Sequence, residues 1–215
     1  MTPPSPVLHV VQDRPVLVWR CGNPWLAISS APRGGGIGLR NWVLNATVPT
    51  NYDHPDPTAH AGELAAELDL RGEGIGLLTA VDVRHEITAS DGGVQASVTT
   101  GANAPVWAAA PAEERAWAPG TINAVCWSPI RLTEAALVNA VATVAEAKAQ
   151  ALAESGVPGT GTVTDATAVL CPAGGPAELY GGPRSRVGSA LARAVHAAVT
   201  AGLRLENPRH IPENP

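Results

Sequence analysis

Four short segments concentrate glycine with small polar side chains: Gly101-Ala102-Asn103-Ala104, Gly120-Thr121-Ile122-Asn123, Gly159-Thr160-Gly161-Thr162-Val163-Thr164-Asp165, and the run Arg33-Gly34-Gly35-Gly36-Ile37-Gly38. Loops of this kind expose backbone N–H groups that can stabilise an oxyanion, and Asn and Thr add directional donors and acceptors suited to an amide-rich ligand. Asn103, Asn123, Thr121, Gly35, Gly36 and Thr162 are therefore candidate substrate-binding residues. Ordinary turn formation uses the same residue types. No segment is a phosphate motif: Gly159-Thr160-Gly161-Thr162 lacks a following Lys, and the glycine run does not match a dinucleotide fingerprint.

Amide hydrolysis would need an activated water or nucleophile, a stabilised oxyanion and a proton for the departing amine. Asp165 and Asp82, each near the end of an apolar run, are the leading acid/base candidates, because burial would move a carboxyl towards the neutral range. A turn or helix cap explains either Asp equally well. Thr164 is a candidate nucleophile, although adjacent strand residues face opposite ways, so direct cooperation with Asp165 requires a bend. Lys148 falls between Val144 and Leu152 on an apolar helical stripe, where an ammonium must find a partner or reach solvent. It either binds or stabilises negative charge in a site or extends its stem to water.

Asp53, His54, Asp56, His60 and Glu63 are clustered, but their spacing fits no zinc signature, and no metal is expected. His85-Glu86 is a second candidate proton-transfer pair, or a solvated turn. Six tryptophans serve a chain with no Phe. Trp107, with Trp42, Trp117 and Trp127, lies near the polar loops and could stack on a flat ligand, although core filling is the default.

The elements that must position these residues follow from periodicity. β-branched runs at 7–11 and 16–20 flank a polar turn at 12–15, and further strands are expected at 25–29, 42–46, 75–81, 94–100, 121–127 and 162–170. The uniformly apolar 75–81 reads as a central strand, and the alternating 94–100 as one nearer an edge. Asp56-Pro57 starts a helix to about Leu68, with His60, Leu64 and Leu68 on one face. Thr133 caps a long helix ending at Ser155-Gly156, and a last helix runs over 185–201 with Gly202 as its stop. Early strands and late, uneven helices indicate an α+β fold: a single domain over 1–205, with a mixed, largely antiparallel β-sheet covered by helices, and a flexible tail at 206–215.

Composition narrows the partners. The 215 residues suit one core, with 45% hydrophobic residues and a mean hydropathy of +0.06. A net charge of −5 offers no field for phosphates, so nucleic acid is not expected. No apolar run approaches the roughly 20 residues of a membrane span, and the first residues lack a signal-peptide pattern, so a cytoplasmic location is expected. Three widely spaced cysteines read as reduced thiols. A homo-oligomer is compatible with all of this.

A series of motifs in fixed order resembles the adenosylcobinamide amidohydrolase family: Gly76-Leu77-Leu78-Thr79-Ala80-Val81-Asp82-Val83, Gly101-Ala102-Asn103-Ala104, Gly120-Thr121-Ile122-Asn123, Leu132-Thr133-Glu134-Ala135-Ala136-Leu137-Val138-Asn139, Glu146-Ala147-Lys148 and Gly161-Thr162-Val163-Thr164-Asp165. The resemblance covers about 33–201, and it departs at Val163, where a smaller residue is expected. It implies hydrolysis of the amide joining aminopropanol to the corrin ring of adenosylcobinamide, giving adenosylcobyric acid for cobamide salvage. The corrinoid is then the substrate, and no cofactor is required. Two rivals are a corrinoid-binding or delivery protein that does not cut its ligand and an amidase for another amide-rich metabolite.

Overall fold

A computed structural model describes residues 2–111 and 120–206. The chain order is β1 (Val7–Val11), β2 (Arg14–Ser29), β3 (Gly36–Thr47), α1 (Pro57–Glu67), β4 (Gly74–Thr79), a 3-10 turn (Val83–His85), β5 (Ile87–Asp91), β6 (Val94–Gly101), β7 (Thr121–Trp127), β8 (Arg131–Leu132), α2 (Glu134–Glu154), β9 (Ala166–Pro172), β10 (Ala177–Glu178) and α3 (Arg186–Glu206). Eight strands form one sheet in the order β4-β3-β2-β9-β7-β6-β5, with β1 also paired to β2. The β3/β4 and β7/β9 pairs are parallel, and the other pairs in this sheet are antiparallel. The fold is α+β with a mixed, mostly antiparallel sheet, as the sequence indicates.

Strand alternation sorts the core into an inside and an outside. Leu17, Trp19, Trp25, Val43, Ile75, Leu77, Val125, Trp127 and Leu170 point to the concave face and pack together there. Trp25 and Trp127 meet edge to face with centroids 5.0 Å apart. Their neighbours Leu26, Ala124, Cys126, Val169 and Cys171 point outward under α2 and α3, while Val16, Val18, Leu44 and Ala46 lie under α1. The curl is strong enough for Asn45 of β3 to bond Thr99 of β6 and Asn123 of β7 across the concave face. A three-residue register shift between Arg20 and Trp25 in the β2/β3 pair helps bend the sheet. Burial pushes the Cys126 thiol up to about 12, so it stays protonated and acts as a small hydrophobe.

Several expected boundaries move. Residues 16–20 and 25–29 belong to one bulged strand, and the glycine run enters β3 at Gly36. Residues 162–165 are a loop, with β9 starting at Ala166. β4 ends the sheet order, although both its faces are covered, by the curl core and by α1; β6 lies between β5 and β7. The alternation of β6 marks a polar lining of the curl, with Ser97 and Thr99 both buried, and does not mark an edge. Gly202 does not stop α3. A Cβ there would meet Thr100 Oγ1 at 2.3 Å, so its role is close approach of helix to sheet. The tail expected beyond α3 lies outside the described residues.

Candidate active site

The loop leading into β9 is organised by Asp165. Its Oδ1 accepts from the Ile122 N–H at 2.8 Å and from Thr162 Oγ1 at 2.5 Å, and its Oδ2 accepts from the Thr162 N–H at 3.0 Å and from Lys148 Nζ. The two charged side chains are only 12% and 16% exposed, so Lys148 pairs from the helix stripe with a carboxylate and does not extend to solvent. Gly161 leaves the room they need: a Cβ there would sit 2.5 Å from Asp165 Oδ2 and 2.6 Å from Lys148 Nζ. With four donors engaged, Asp165 ties α2, the start of β7 and the loop before β9 into one rigid unit.

That unit fixes a pair of hydroxyls. Thr121 Oγ1 and Thr164 Oγ1 are 2.7 Å apart, and Thr164 Oγ1 donates to the Gly120 carbonyl at 2.9 Å. The Thr162 oxygen is 2.7 Å from the same carbonyl, so its single proton is shared between that carbonyl and Asp165. Thr121, Thr164 and Gly120 line a cleft of about 360 Å³ at the end of the curl, closed by Val48, Pro49 and Tyr52 after β3, Leu78 to Ala80 at the end of β4, and Ser30 and Pro32 after β2. Asp165 bonds behind this wall, and Thr164, in the turn just before β9, lines the cleft.

Asn123 is 1% exposed and pairs in register with Ala166, which also lines the cleft. Its amide nitrogen donates to Asn45 Oδ1 and to the Leu78 carbonyl, both at 3.0 Å, and its Oδ1 has no hydrogen-bond partner. Leaving a buried acceptor unpaired costs about 1–3 kcal/mol, and the network fixes the amide orientation because a flip would break both bonds.

The other candidates are placed apart from this wall. Asp82 caps the 3-10 turn, accepting from the Arg84 N–H at 3.0 Å and from the Arg84 guanidinium, whose hydrogen bonds hold its carboxyl below the usual range. His85 is exposed on the same turn, and Glu86 accepts from Thr88. Asn103 and Trp107 are exposed on the loop after β6, which is tied to the loop before β9 by the Val106–Gly161 bridge; Trp107 is 55% exposed. Gly35 lies against the Ala31 and Ser29 carbonyls, and Gly36 opens β3 with φ +80°. Trp42 is buried under α1, with its indole N–H on the Gly72 carbonyl, and Trp117 lies outside the described residues.

Sequence reasoning passed over Tyr52. With Val48 and Pro49 it lines both this cleft and a neighbouring one of about 540 Å³ that is also lined by His54 and His60. Tyr52 Oη is 2.8 Å from His60 Nδ1, and the three rings stack, with the His54 and His60 centroids 5.0 Å apart. The expected metal-capable cluster thus contributes a ring stack, and among the described residues no group of three or more His, Cys, Asp or Glu side chains could hold a metal ion. The density of histidine near Tyr52 was the available signal.

A family model described as adenosylcobinamide amidohydrolase matches residues 5–211. The chain belongs to that family. A relative from Methanosarcina mazei named adenosylcobinamide amidohydrolase is 33% identical over 188 residues, covering 83% of this chain and 90% of that protein. One of the same name from Halobacterium salinarum is 36% identical over 193 residues, covering 85% and 80%. A crystal structure of a Pyrococcus horikoshii OT3 protein covers 92% of this chain and 82% of its own at 12% identity, with a TM-score of 0.47. Membership of the amidohydrolase family makes the chain a hydrolase of amide C–N bonds. Among the described residues of this amidohydrolase no helix is long and apolar enough to cross a membrane.

Proposed function

We propose that this amidohydrolase cleaves the amide joining aminopropanol to the corrin ring of adenosylcobinamide, releasing aminopropanol and adenosylcobyric acid for cobamide salvage in the cytoplasm. The observation that carries the reading is the Thr121–Thr164 hydroxyl pair beside the Gly120 carbonyl, facing an apolar-walled cleft of about 360 Å³ in a chain of this family. The cleft has the size of a small-ligand pocket and suits the amide arm, with the macrocycle lying across its mouth and over the adjoining cleft.

Thr164 and Thr121 hold the scissile amide and its developing oxyanion. Asp165 and Lys148 act by fixing the loop, since the carboxylate is engaged by Ile122, Thr162 and Lys148 and neither side chain lines the cleft. Thr162 and Asn123 support the same wall from behind. Asn103, Trp107, Gly35 and Gly36 contact outlying parts of the corrinoid, and Asp82 contributes from the turn beyond β4.

Incubating the purified protein with adenosylcobinamide and following aminopropanol by mass spectrometry tests the reading. Release with turnover is expected; stoichiometric binding without product would favour a corrinoid carrier. Thr164→Val keeps the side-chain shape and is expected to slow turnover about 100-fold, the scale of losing one oxyanion donor.

A further inference from the structure

We infer that Tyr52 is a catalytic residue of this site and that His60 is the proton acceptor behind it. The inference rests on the amidohydrolase reading above and adds what that reading lacks, a group able to move protons at the cleft. Among the described residues Thr164 bonds Thr121 and the Gly120 carbonyl but no imidazole or carboxylate, and Asp165 does not line the cleft. Tyr52 is shared by both clefts and is bonded through Oη to the Nδ1 of His60, itself half-buried at the foot of α1.

The surroundings suit such a relay. Burial, then the stacked His54 ring, pull His60 below the ordinary imidazole range, while Glu63 and Glu67 of α1 act in the opposite sense. His60 is therefore neutral at rest, with carboxylates at hand when it charges. Burial, then Asp56 and Glu63, hold the Tyr52 phenol above its usual value, so it remains an O–H donor. The His54 Nδ1 is engaged by the Asp56 N–H at 3.1 Å. Arg14, the first residue of β2, also faces the cleft that holds His54 and His60, beside Gln12 of the β1–β2 turn, which is bonded to Glu67.

The proton inventory closes with water as the only co-reactant. As water attacks the amide carbon, one O–H bond breaks and its proton goes to Tyr52 Oη, while the Tyr52 proton passes to His60 Nδ1. The carbonyl π pair moves onto oxygen. When the carbonyl re-forms and the C–N bond breaks, the leaving nitrogen takes a proton from Tyr52, which is refilled from His60 Nδ1. The pair ends as it began, and the products are a carboxylic acid and an amine.

The test compares wild type, Tyr52→Phe and His60→Gln with adenosylcobinamide from about pH 5 to 9, reading kcat and KM separately. Both variants are expected to lose about 100-fold or more in kcat with KM within about threefold, and His60→Gln to lose the acid limb of the wild-type profile. Tyr52→Phe preserves the ring stack, so it decides the matter even where a melting curve shows His60→Gln unfolded. Wild-type turnover with variants within twofold of it, or a raised KM at unchanged kcat, overturns the inference and leaves the amidohydrolase reading standing. A wild-type protein that releases no aminopropanol removes both.

Discussion

Asp165 and Asp82 both stand at strand ends beside a cation, and the two regions differ in where their partners come from. Asp82 is bonded within its own turn to Arg84, two residues away, with side chains 29% and 62% exposed. Asp165 gathers Lys148 from α2, the Ile122 N–H from β7 and Thr162 from its own loop, with little exposure. Water can replace what Asp82 provides. Nothing nearby can replace what Asp165 provides, because its loss leaves an ammonium and two amide donors without partners in a region from which solvent is largely excluded.

The contrast can be broken most sharply at the buried pair. Asp165→Ala and Lys148→Met should each cost about 3–5 kcal/mol, lowering Tm by roughly 10 °C or more in a calorimetric melt. A stably folded Lys148→Met with undiminished turnover would remove Lys148 from the mechanism and show that the pair is dispensable. A smaller effect is expected at Gly161→Ala, whose methyl would press on both charged groups. About 1–3 kcal/mol is expected there, with turnover falling because Thr162 and Thr164 move with the loop. Least of all, Asp82→Asn should shift Tm by no more than about 2 °C. Its sign follows from the depressed carboxyl. The Asp82 contribution is present above the ordinary carboxylate range and is lost as pH falls through the folded value, so mutant and wild type should melt alike in strong acid. Equal losses at Asp82 and Asp165 would sink the comparison.

How far the site was legible can be followed through single residues. Thr121 and Thr164 are 43 positions apart, yet both stood out as polar residues in glycine loops next to apolar runs, and they meet at 2.7 Å. Lys148 was conspicuous because a charge on an apolar stripe demands a partner. That the partner is Asp165 could not be read, since α2 and β9 are brought together only by packing. Tyr52 was harder to read: the nearby His54 and His60 were a signal, but that the tyrosine would line two clefts depends on how the loop after β3 packs.

The sequence by itself determined the α+β class, the capped helices beginning after Asp56 and Thr133, and the family, because caps, apolar periods and ordered motifs are local or collinear properties. Tertiary structure alone decided that β4 ends the sheet order and β6 is interior, that Gly202 is a contact point inside α3, and which Asp is buried. Those outcomes depend on the curl of the sheet, which places both an apolar core and a polar lining on its concave face and brings side chains from distant strands within hydrogen-bonding reach.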